Sequence, residues 1–303
     1  NSQVTGILTE GDTLAGLTLA DGQTVSCDRC IFAIGHSARD TFTMLYEMGV
    51  PMEAKPFAMG VRIEHPQSTI DRSQYGKVDP VLPPADYKLV RHLEDATVYT
   101  FCMCPGGYVV GAASEDGGVV VNGMSHRARD GRNANSAVVV SVRCEDYPQV
   151  DGNAALGAIA YQRMIERAAF AAGGGNYTAP IQTVGDFLRG QVRHEPSCVV
   201  PTYRDASAVK LADLSTVFPA YVTEHLRYGL TSFDRKVSGF AAEHAVLTGA
   251  ETRTSAPVRI LRGEDFCAIG HPLIYPCGEG AGYAGGITSA AVDGLRVAMA
   301  MIG

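Results

Sequence analysis

Residues Tyr275–Gly303 read YPCGEGAGYAGGITSAAVDGLRVAMAMIG. The stretch leaves an apolar run, crosses a loop of closely spaced glycines and ends in a helical pattern. Gly278, Gly280, Gly282, Gly285 and Gly286 put almost no side chain between the backbone and whatever lies against it, and glycine reaches dihedrals closed to other residues. Behind them Ile287, Ala290, Ala291, Gly294, Leu295, Ala298 and Met301 recur at three- and four-residue spacing. That period predicts a helix with one narrow face packed on a sheet. Backbone N–H groups at such a helix start have no helical acceptor and favour a phosphate or another anionic group. Two readings stand: a phosphate or dinucleotide site, and close helix–sheet packing with no ligand.

The string GAGYAG, Gly280 to Gly285, formally matches G-x-G-x-x-G. That fingerprint needs a following strand and an acidic residue about 20 positions on, and only eighteen residues follow Gly285. The loop therefore closes a nucleotide-binding half rather than opening one.

Around this anchor the composition is that of a globular protein. The chain has 303 residues, 46% of them hydrophobic, and 34 glycines, enough for two units with sizeable cores. A formal charge of −7 argues against a nucleic-acid partner, since no basic stripe is concentrated enough to track phosphates. No apolar run reaches the 18 or so residues of a membrane span. Eight scattered cysteines do not form a disulfide framework, and a reducing cytoplasm is the expected setting. The chain opens inside a sheet pattern without an initiating methionine, as expected of a piece of a longer protein.

Read forward, Val4–Leu8, Leu14–Leu19 and Gln23–Ser26 form a small antiparallel meander turned by Asp21-Gly22. It leads into an apolar strand, Cys30–Ile34, which ends at Gly35. Ser37 or Asp40 is placed to cap a helix over Thr41–Met48, closed by Gly49. Strands follow at Ala58–Glu64, Thr97–Cys104, Tyr108–Ala113 and Ser136–Val142, with Pro66–Lys88 read as loop. The pattern turns helical over Ala154–Ala172, Ile181–Leu188, Leu211–Val217, Ala220–Leu230 and Phe233–Leu247, and Thr254–Leu261 returns to a strand. The expected fold is α/β with an α+β insertion. Residues 1–56 and 254–303 form an incomplete Rossmann-like domain, and 57–253 a mostly antiparallel β plus helical domain between them.

Candidate chemistry is sparse. Cys102 and Cys104 in FCMCPGG fall on one face of a regular strand. They read as a redox-active pair, as thiols lining a cofactor, or as a buried inert pair. Cys27-x-x-Cys30 has zinc spacing, but Cys30 opens an apolar strand where cysteine is a small hydrophobe, so no metal site is assigned. His36 follows Gly35 at the end of an α/β strand, where ligands bind in such folds; it is a proton donor, a cofactor contact or a turn-closing hydrogen bonder. Arg62, Glu64 and His65 end a strand as cleft groups or structural partners. Arg127, Arg129 and Arg132 lie in a polar loop that is either an anion site or a solvated surface. G-x-S-x-G, H-E-x-x-H and a Walker A sequence are absent.

Several longer strings act together: AIGHSARDTFTML, KPFAMGVRIEHPQ, YTFCMCPGGYVVGAASE, NGMSHRARDGRNANSAVVV, and ETRTSAPVRI with YPCGEGAGYAGGITSAAVDG. In this order they resemble the poorly characterised bacterial FAD-dependent dehydrogenases, relatives of the two-dinucleotide-binding-domain flavoproteins. The resemblance implies an FAD-binding domain whose sheet is interrupted by a substrate-side insertion. It puts the strand-end turn at Gly35, a late ribityl- and pyrophosphate-side element at Gly278 and Glu279, and Thr254 and Ser255 near the cofactor. Backbone over Gly280, Gly282, Tyr283, Gly285, Gly286 and Ile287 would approach the isoalloxazine edge. It also implies an N-terminal G-x-G-x-x-G region that this chain lacks, so FAD retention is expected of the full-length protein rather than of this piece.

The function expected is that of the C-terminal portion of an FAD-dependent oxidoreductase. It acts on an unknown small-molecule substrate with NADH or NADPH as a donor, with Cys102, Cys104 and His36 near the reacting face. The competing reading is a non-enzymatic ligand- or protein-binding domain on a flavoprotein fold.

Overall fold

The computed structural model describes residues 2–11, 13–148, 154–204 and 206–302. In chain order its elements are β1 (Val4–Glu10), β2 (Thr13–Leu19), β3 (Thr24–Ser26), β4 (Cys30–Phe32), α1 (Arg39–Glu47), β5 (Met52–Ala54), β6 (Phe57–Pro66) and α2 (Gln67–Tyr75). Next come β7 (Val90–His92), β8 (Thr97–Cys104), β9 (Gly107–Gly111), β10 (Val121–Ser125), β11 (Asn133–Val142), α3 (Ala154–Ala172), β12 (Ala179–Thr183) and α4 (Val184–Arg189). The chain closes with β13 (Val209–Leu211), α5 (Ala220–Asp234), β14 (Val246–Glu251), β15 (Val258–Ile260), β16 (Ile274–Pro276) and α6 (Ile287–Ile302). Two compact units divide it. One comprises Asn1–Phe57, Arg143–Tyr161 and Ser255–Gly303, the other Ala58–Val142 and Gln162–Thr254.

In the first unit β1, β2 and β3 form an antiparallel meander. The two ends of the chain meet in this unit: β4 pairs in parallel with β16, and β5 antiparallel with β15. Its core gathers Ile7, Leu14, Phe32, Phe42, Leu45, Val258, Ile260 and Ile274. Helix α1 supplies Phe42 and Leu45. No side chain caps it: its N-cap is Ala38, not Ser37 or Asp40. The helix is held by burial, about 1.5–3 kcal/mol for each large apolar side chain, and Gly49, at φ +82°, ends it.

The second unit is built on a seven-stranded sheet in the order β13-β12-β14-β6-β11-β8-β7. Its neighbours β12/β14, β14/β6, β11/β8 and β8/β7 are antiparallel, and the edge pair β12/β13 is parallel. Helix α5 lies against β8 and β11. At Gly229 the approach is so close that a Cβ would stand 2.5 Å from Val98 Cγ1. Phe240 collects His65, Tyr87 and Phe233 at ring-centroid distances of 5.0, 5.4 and 5.6 Å.

Four sequence expectations are corrected here. Pro66–Lys88 is not all loop: α2 starts directly after Pro66 and buries Gln67 and Ile70. Its sparse apolar face gave little periodic signal. Ile181–Leu188 is the end of β12 followed by α4, with Thr183 Oγ1 accepting the Asp186 N–H as an N-cap. Leu211–Val217 is the end of β13 and a 3-10 turn. The helix expected over Phe233–Leu247 stops at Asp234, and Val246–Glu251 is the interior strand β14, buried at every position. A strand covered on both faces reads as a continuous apolar run, which periodicity cannot separate from a buried helix.

The face of α6 also differs from the expected one. Asp293 and Val297 are buried, Ala290, Gly294, Ala298 and Met301 are partly covered, and Ile287, Ala291 and Leu295 are exposed.

Candidate functional site

The glycine loop grows directly out of the β4–β16 pair. Cys277 extends the ladder by donating its N–H to Phe32 O at 3.0 Å. Gly278 then turns at φ +74°. Gly282 N–H donates to Glu279 O and Tyr283 N–H to Gly278 O, at 3.0 and 3.2 Å, so Gly278–Tyr283 is an internally bonded turn. Gly280 rests on the backbone of Gly35, which leaves no room for a side chain. Gly282, at φ +86°, rests on β15, where a Cβ would stand 2.7 Å from Val258 O. These two glycines are required by packing within the unit.

A buried ion pair fixes the turn to the helix behind it. Arg262 donates to both Asp293 oxygens, at 2.5 and 3.0 Å, and to Pro276 O at 2.8 Å. Asp293 Oδ2 also accepts the Gly278 N–H at 2.7 Å. The Arg262 guanidinium lies 3.7 Å from the centroid of the Tyr283 ring, and the Tyr283 hydroxyl donates to Ile260 O at 3.1 Å. Burial opposes ionisation of Asp293, but its bonds from Arg262 and Gly278 outweigh it and hold the carboxyl below its ordinary range. The neighbouring Cys277 is pushed up by burial and by the Asp293 charge, so its thiol is a poor nucleophile.

Beyond Tyr283 the loop opens. Ideal Cβ positions at Gly285 and Gly286 meet nothing within 4 Å. A cleft of about 640 Å³ is lined by Tyr283, Gly285, Gly286, Ile287, Ser289 and Arg296, among others. Ser289 Oγ accepts from Gly285 N–H at 3.3 Å and donates to Gly286 O at 2.9 Å, pinning the helix entry. The first-turn N–H groups of α6 and the Arg296 guanidinium give this cleft the polarity that suits an anion. Exposed Val292, Leu295, Met299 and Ile302 give the helix an apolar outer stripe.

The other expected site residues are dispersed. His36 lies in the first unit beside Gly35, with Nδ1 2.7 Å from Ser37 Oγ. Ser255 and Glu279 are partly buried there, and Glu279 lies within electrostatic reach of Lys55. Thr254 is in the second unit; its hydroxyl donates to Ala58 O at 2.9 Å and accepts from Ala58 N–H at 3.2 Å, tying the segment after β14 to the start of β6. Cys27 and Cys30 pack on the first unit's core, and burial followed by the Cys27 charge pushes Cys30 up to about 11. Among the described residues no group of three or more His, Cys, Asp or Glu side chains has metal-binding geometry.

Cys102 and Cys104 lie in the second unit, and the even alternation expected of them is broken. Ala137 faces Phe101 while Asn135 faces Cys104, so one extra residue is accommodated between them. This bulge puts Cys104 on the face of Phe101. There Arg62, fully buried, donates from Nε to Asn135 Oδ1 at 2.9 Å and from Nη1 to Glu251 at 2.9 Å and Asn122 Oδ1 at 3.0 Å. Its Nη2 donates to Cys102 O and lies 3.8 Å from Cys104 Sγ. Glu64, also buried, accepts from Asn133 Nδ2 at 3.0 Å and Thr202 Oγ1 at 2.6 Å. Arg62, Glu64 and His65 are thus internal hydrogen-bonding groups. Arg127, Arg129 and Arg132 are exposed, on a loop docked to the β8–β9 turn through Gly131 N–H to Gly106 O at 3.1 Å.

Arg262, Asp293 and Arg296 were missed in the sequence. The signal for Asp293 was there: it is the one acidic residue in the mostly apolar run Ile287–Ile302, and a carboxylate buried there needs a partner.

The family model described as FAD-dependent protein, C-terminal domain-like, matches residues 56–254. The chain belongs to this family of FAD-dependent proteins. It is also 50% identical over 284 residues to an uncharacterized protein of Clostridium beijerinckii (strain ATCC 51743 / NCIMB 8052). That alignment covers 92% of this chain and 52% of the relative, so the chain spans about half the relative's length. The glycine loop lies outside the stretch matched by the family model. Among the described residues no helix is long and apolar enough to cross a membrane.

Proposed function

We propose that the protein containing this chain is an FAD-dependent oxidoreductase, and that the glycine loop and the start of α6 form part of its FAD site. In this reading the β4–β16 pair, the loop and α6 are the late portion of a Rossmann-like domain. The observation that carries it is the open cleft at Gly285–Gly286 on a helix N-terminus, in a member of an FAD-dependent family. The residues present suit the group: a backbone bare of side chains, first-turn N–H donors for a pyrophosphate or ribityl oxygen, and Arg296 along the same wall. At about 640 Å³ the cleft has the size of a cofactor pocket.

FAD, when bound, supplies hydride and electron transfer. The chain's own residues hold and orient it. Gly278, through Asp293 and Arg262, fixes where the loop leaves the sheet; Gly280 and Gly282 seat it on Gly35 and β15. Gly285, Gly286 and Ile287 offer backbone at the open edge, with Tyr283 at its root and Glu279, Gly35, Thr254 and Ser255 as further cofactor-side positions. His36 is proposed as a proton donor, and Cys102 and Cys104 as the thiols of the reacting face. The substrate is a small molecule, and NADH or NADPH is the proposed donor.

The test is the absorption spectrum of the full-length protein after reconstitution with FAD, followed by anaerobic addition of NADH and NADPH. Stoichiometric flavin that bleaches with either donor supports the reading. A protein that folds but takes up no FAD overturns it.

A further inference from the structure

The bulge in β8 carries a local backbone cost. Cys102 adopts φ +44°, a left-handed conformation that costs a non-glycine residue about 1–2 kcal/mol. Bulges re-aim side chains and end regular pairing; an observed backbone outlier of this kind is a reason to ask what it serves. Here it leaves one cysteine exposed and another half-buried, two residues apart. The Cys104 thiol donates to Cys102 O at 3.2 Å, so its sulfur lies close against the backbone of the residue it would join. The charges around it oppose one another: Arg62 Nη2 is 3.8 Å from Cys104 Sγ, the charges of Arg62 and Arg129 favour its thiolate, and that of Glu251, the ion-pair partner of Arg62, disfavours it. The turn that follows is clamped, with Gly106 N–H donating to Gln67 Oε1 at 2.8 Å and Ser125 Oγ to Pro105 O at 2.7 Å.

We propose that Cys102 and Cys104 form a redox-active dithiol that reduces disulfide substrates, with Cys102 attacking and Cys104 resolving. Cys102 loses its proton to solvent, and its thiolate attacks one sulfur of a disulfide R–S–S–R. A Cys102–S–S–R bond forms, and RS⁻ leaves and takes up a proton. Cys104 then gives up its proton and attacks the Cys102 sulfur. The Cys102–Cys104 bond forms and the second RS⁻ departs. Two electrons pass from the protein dithiol to the substrate, which leaves as two thiols; an external dithiol, itself oxidised to a disulfide, reverses the steps. The division of roles follows from exposure. Burial, the largest influence on Cys104, pushes its thiol above the ordinary value, so it stays protonated until a mixed disulfide lies beside it. The guanidinium of Arg62 then steadies the charge as the proton leaves. The inference rests on the second unit alone and does not depend on the flavin reading.

The experiment treats the intact protein with excess oxidised glutathione, quenches with acid, alkylates the remaining thiols and maps each cysteine by mass spectrometry. Cys198, exposed in the same unit, serves as the reference for ordinary exchange. In the wild type the expected product is a Cys102–Cys104 disulfide with no glutathione on either, while Cys198 carries a stable adduct. In Cys104→Ser, glutathione accumulates on Cys102. In Cys102→Ser, Cys104 reacts at least ten-fold more slowly than Cys102 does in the wild type. Arg129→Gln, an exposed change, slows formation of the wild-type disulfide several-fold. Wild-type Cys102 that stays alkylatable, or that holds a stable glutathione adduct beside an intact Cys104 thiol, overturns the proposal even if the serine variants fail to fold. Thiol state is read without reference to flavin absorbance, so its failure and that of the flavin reading are separately visible.

Discussion

Gly278 and Asp293, fifteen positions apart, are joined by a 2.7 Å hydrogen bond from the glycine N–H to the carboxylate. The bond makes the glycine turn and the helix behind it one rigid piece, because the same carboxylate also pairs with Arg262. Glycine freedom sets the path of the loop, while an ion pair decides which path is kept.

Asp293→Asn removes the charge that Arg262 needs and leaves a buried guanidinium uncompensated. Breaking a buried pair from one side costs about 3–5 kcal/mol, so the variant should melt well below the wild type. The pH dependence has a definite sign. The folded carboxyl titrates below its unfolded value of about 3.9. Its contribution is therefore complete above that value and is lost as pH falls through the folded pKa. Urea melts from pH 6 to 3 should show an acid-side loss in the wild type that is smaller in Asp293→Asn. Equal slopes would remove Asp293 as its source.

Gly282 and Gly285 separate packing from ligand contact. A side chain at Gly282 meets the β15 backbone at positive φ, so Gly282→Val should cost about 1–3 kcal/mol from overpacking and more from the backbone. A side chain at Gly285 meets open space, so Gly285→Val should fold like the wild type and yet lose FAD affinity by ten-fold or more in the full-length protein. Thermal melts with flavin titration check both. Unchanged affinity in a folded Gly285→Val would move the cofactor away from this wall.

How much of this was legible in the sequence depends on the period of each element. The meander, α3 and the glycine loop carry strong local signals and were readable. β14 was not, since Val246–Glu251 is buried at every position and follows the buried Val237 and Phe240 of the turns after α5. Cys102 and Cys104 were readable as a pair, but the bulge between them is set by pairing with β11, a long-range fact. The clamp of Arg262 on Asp293 joins residues 31 apart. No local pattern reports which arginine a buried aspartate will meet.

His65 makes stability depend on pH nearer neutrality. Its Nε2 lies 2.7 Å from Phe240 O, as donor to that carbonyl, and Nδ1 is buried with no hydrogen-bond partner. Burial is the main cause that lowers its pKa to about 4, against about 6.5 unfolded. Between those values the unfolded chain binds a proton that the fold refuses, so stability rises with pH across the window. Lowering pH from 7.5 to 5 should cost about 2 kcal/mol from this residue alone. His65→Gln, which cannot titrate, should lack that component in paired urea melts. A wild type equally stable at both pH values would show that His65 is not excluded from protonation.

Arg62 should resist the usual remedy for a buried ion pair. Glu251→Leu alone strands the guanidinium and should cost about 3–5 kcal/mol. In many proteins, replacing both partners by apolar residues recovers most of such a loss. Here Arg62 also serves Asn135, Asn122 and the carbonyl of Cys102. Arg62→Met with Glu251→Leu therefore leaves Asn135 Oδ1 without its donor and takes one donor each from Asn122 Oδ1 and the Cys102 carbonyl, which keep the Gly123 N–H and the Cys104 thiol; a buried acceptor left unmet costs about 1–3 kcal/mol. The double variant should remain at least as unstable as Glu251→Leu in paired urea melts. A double variant restored to wild-type stability would mean that the ion pair, and not the hold on the bulge, accounts for what Arg62 contributes.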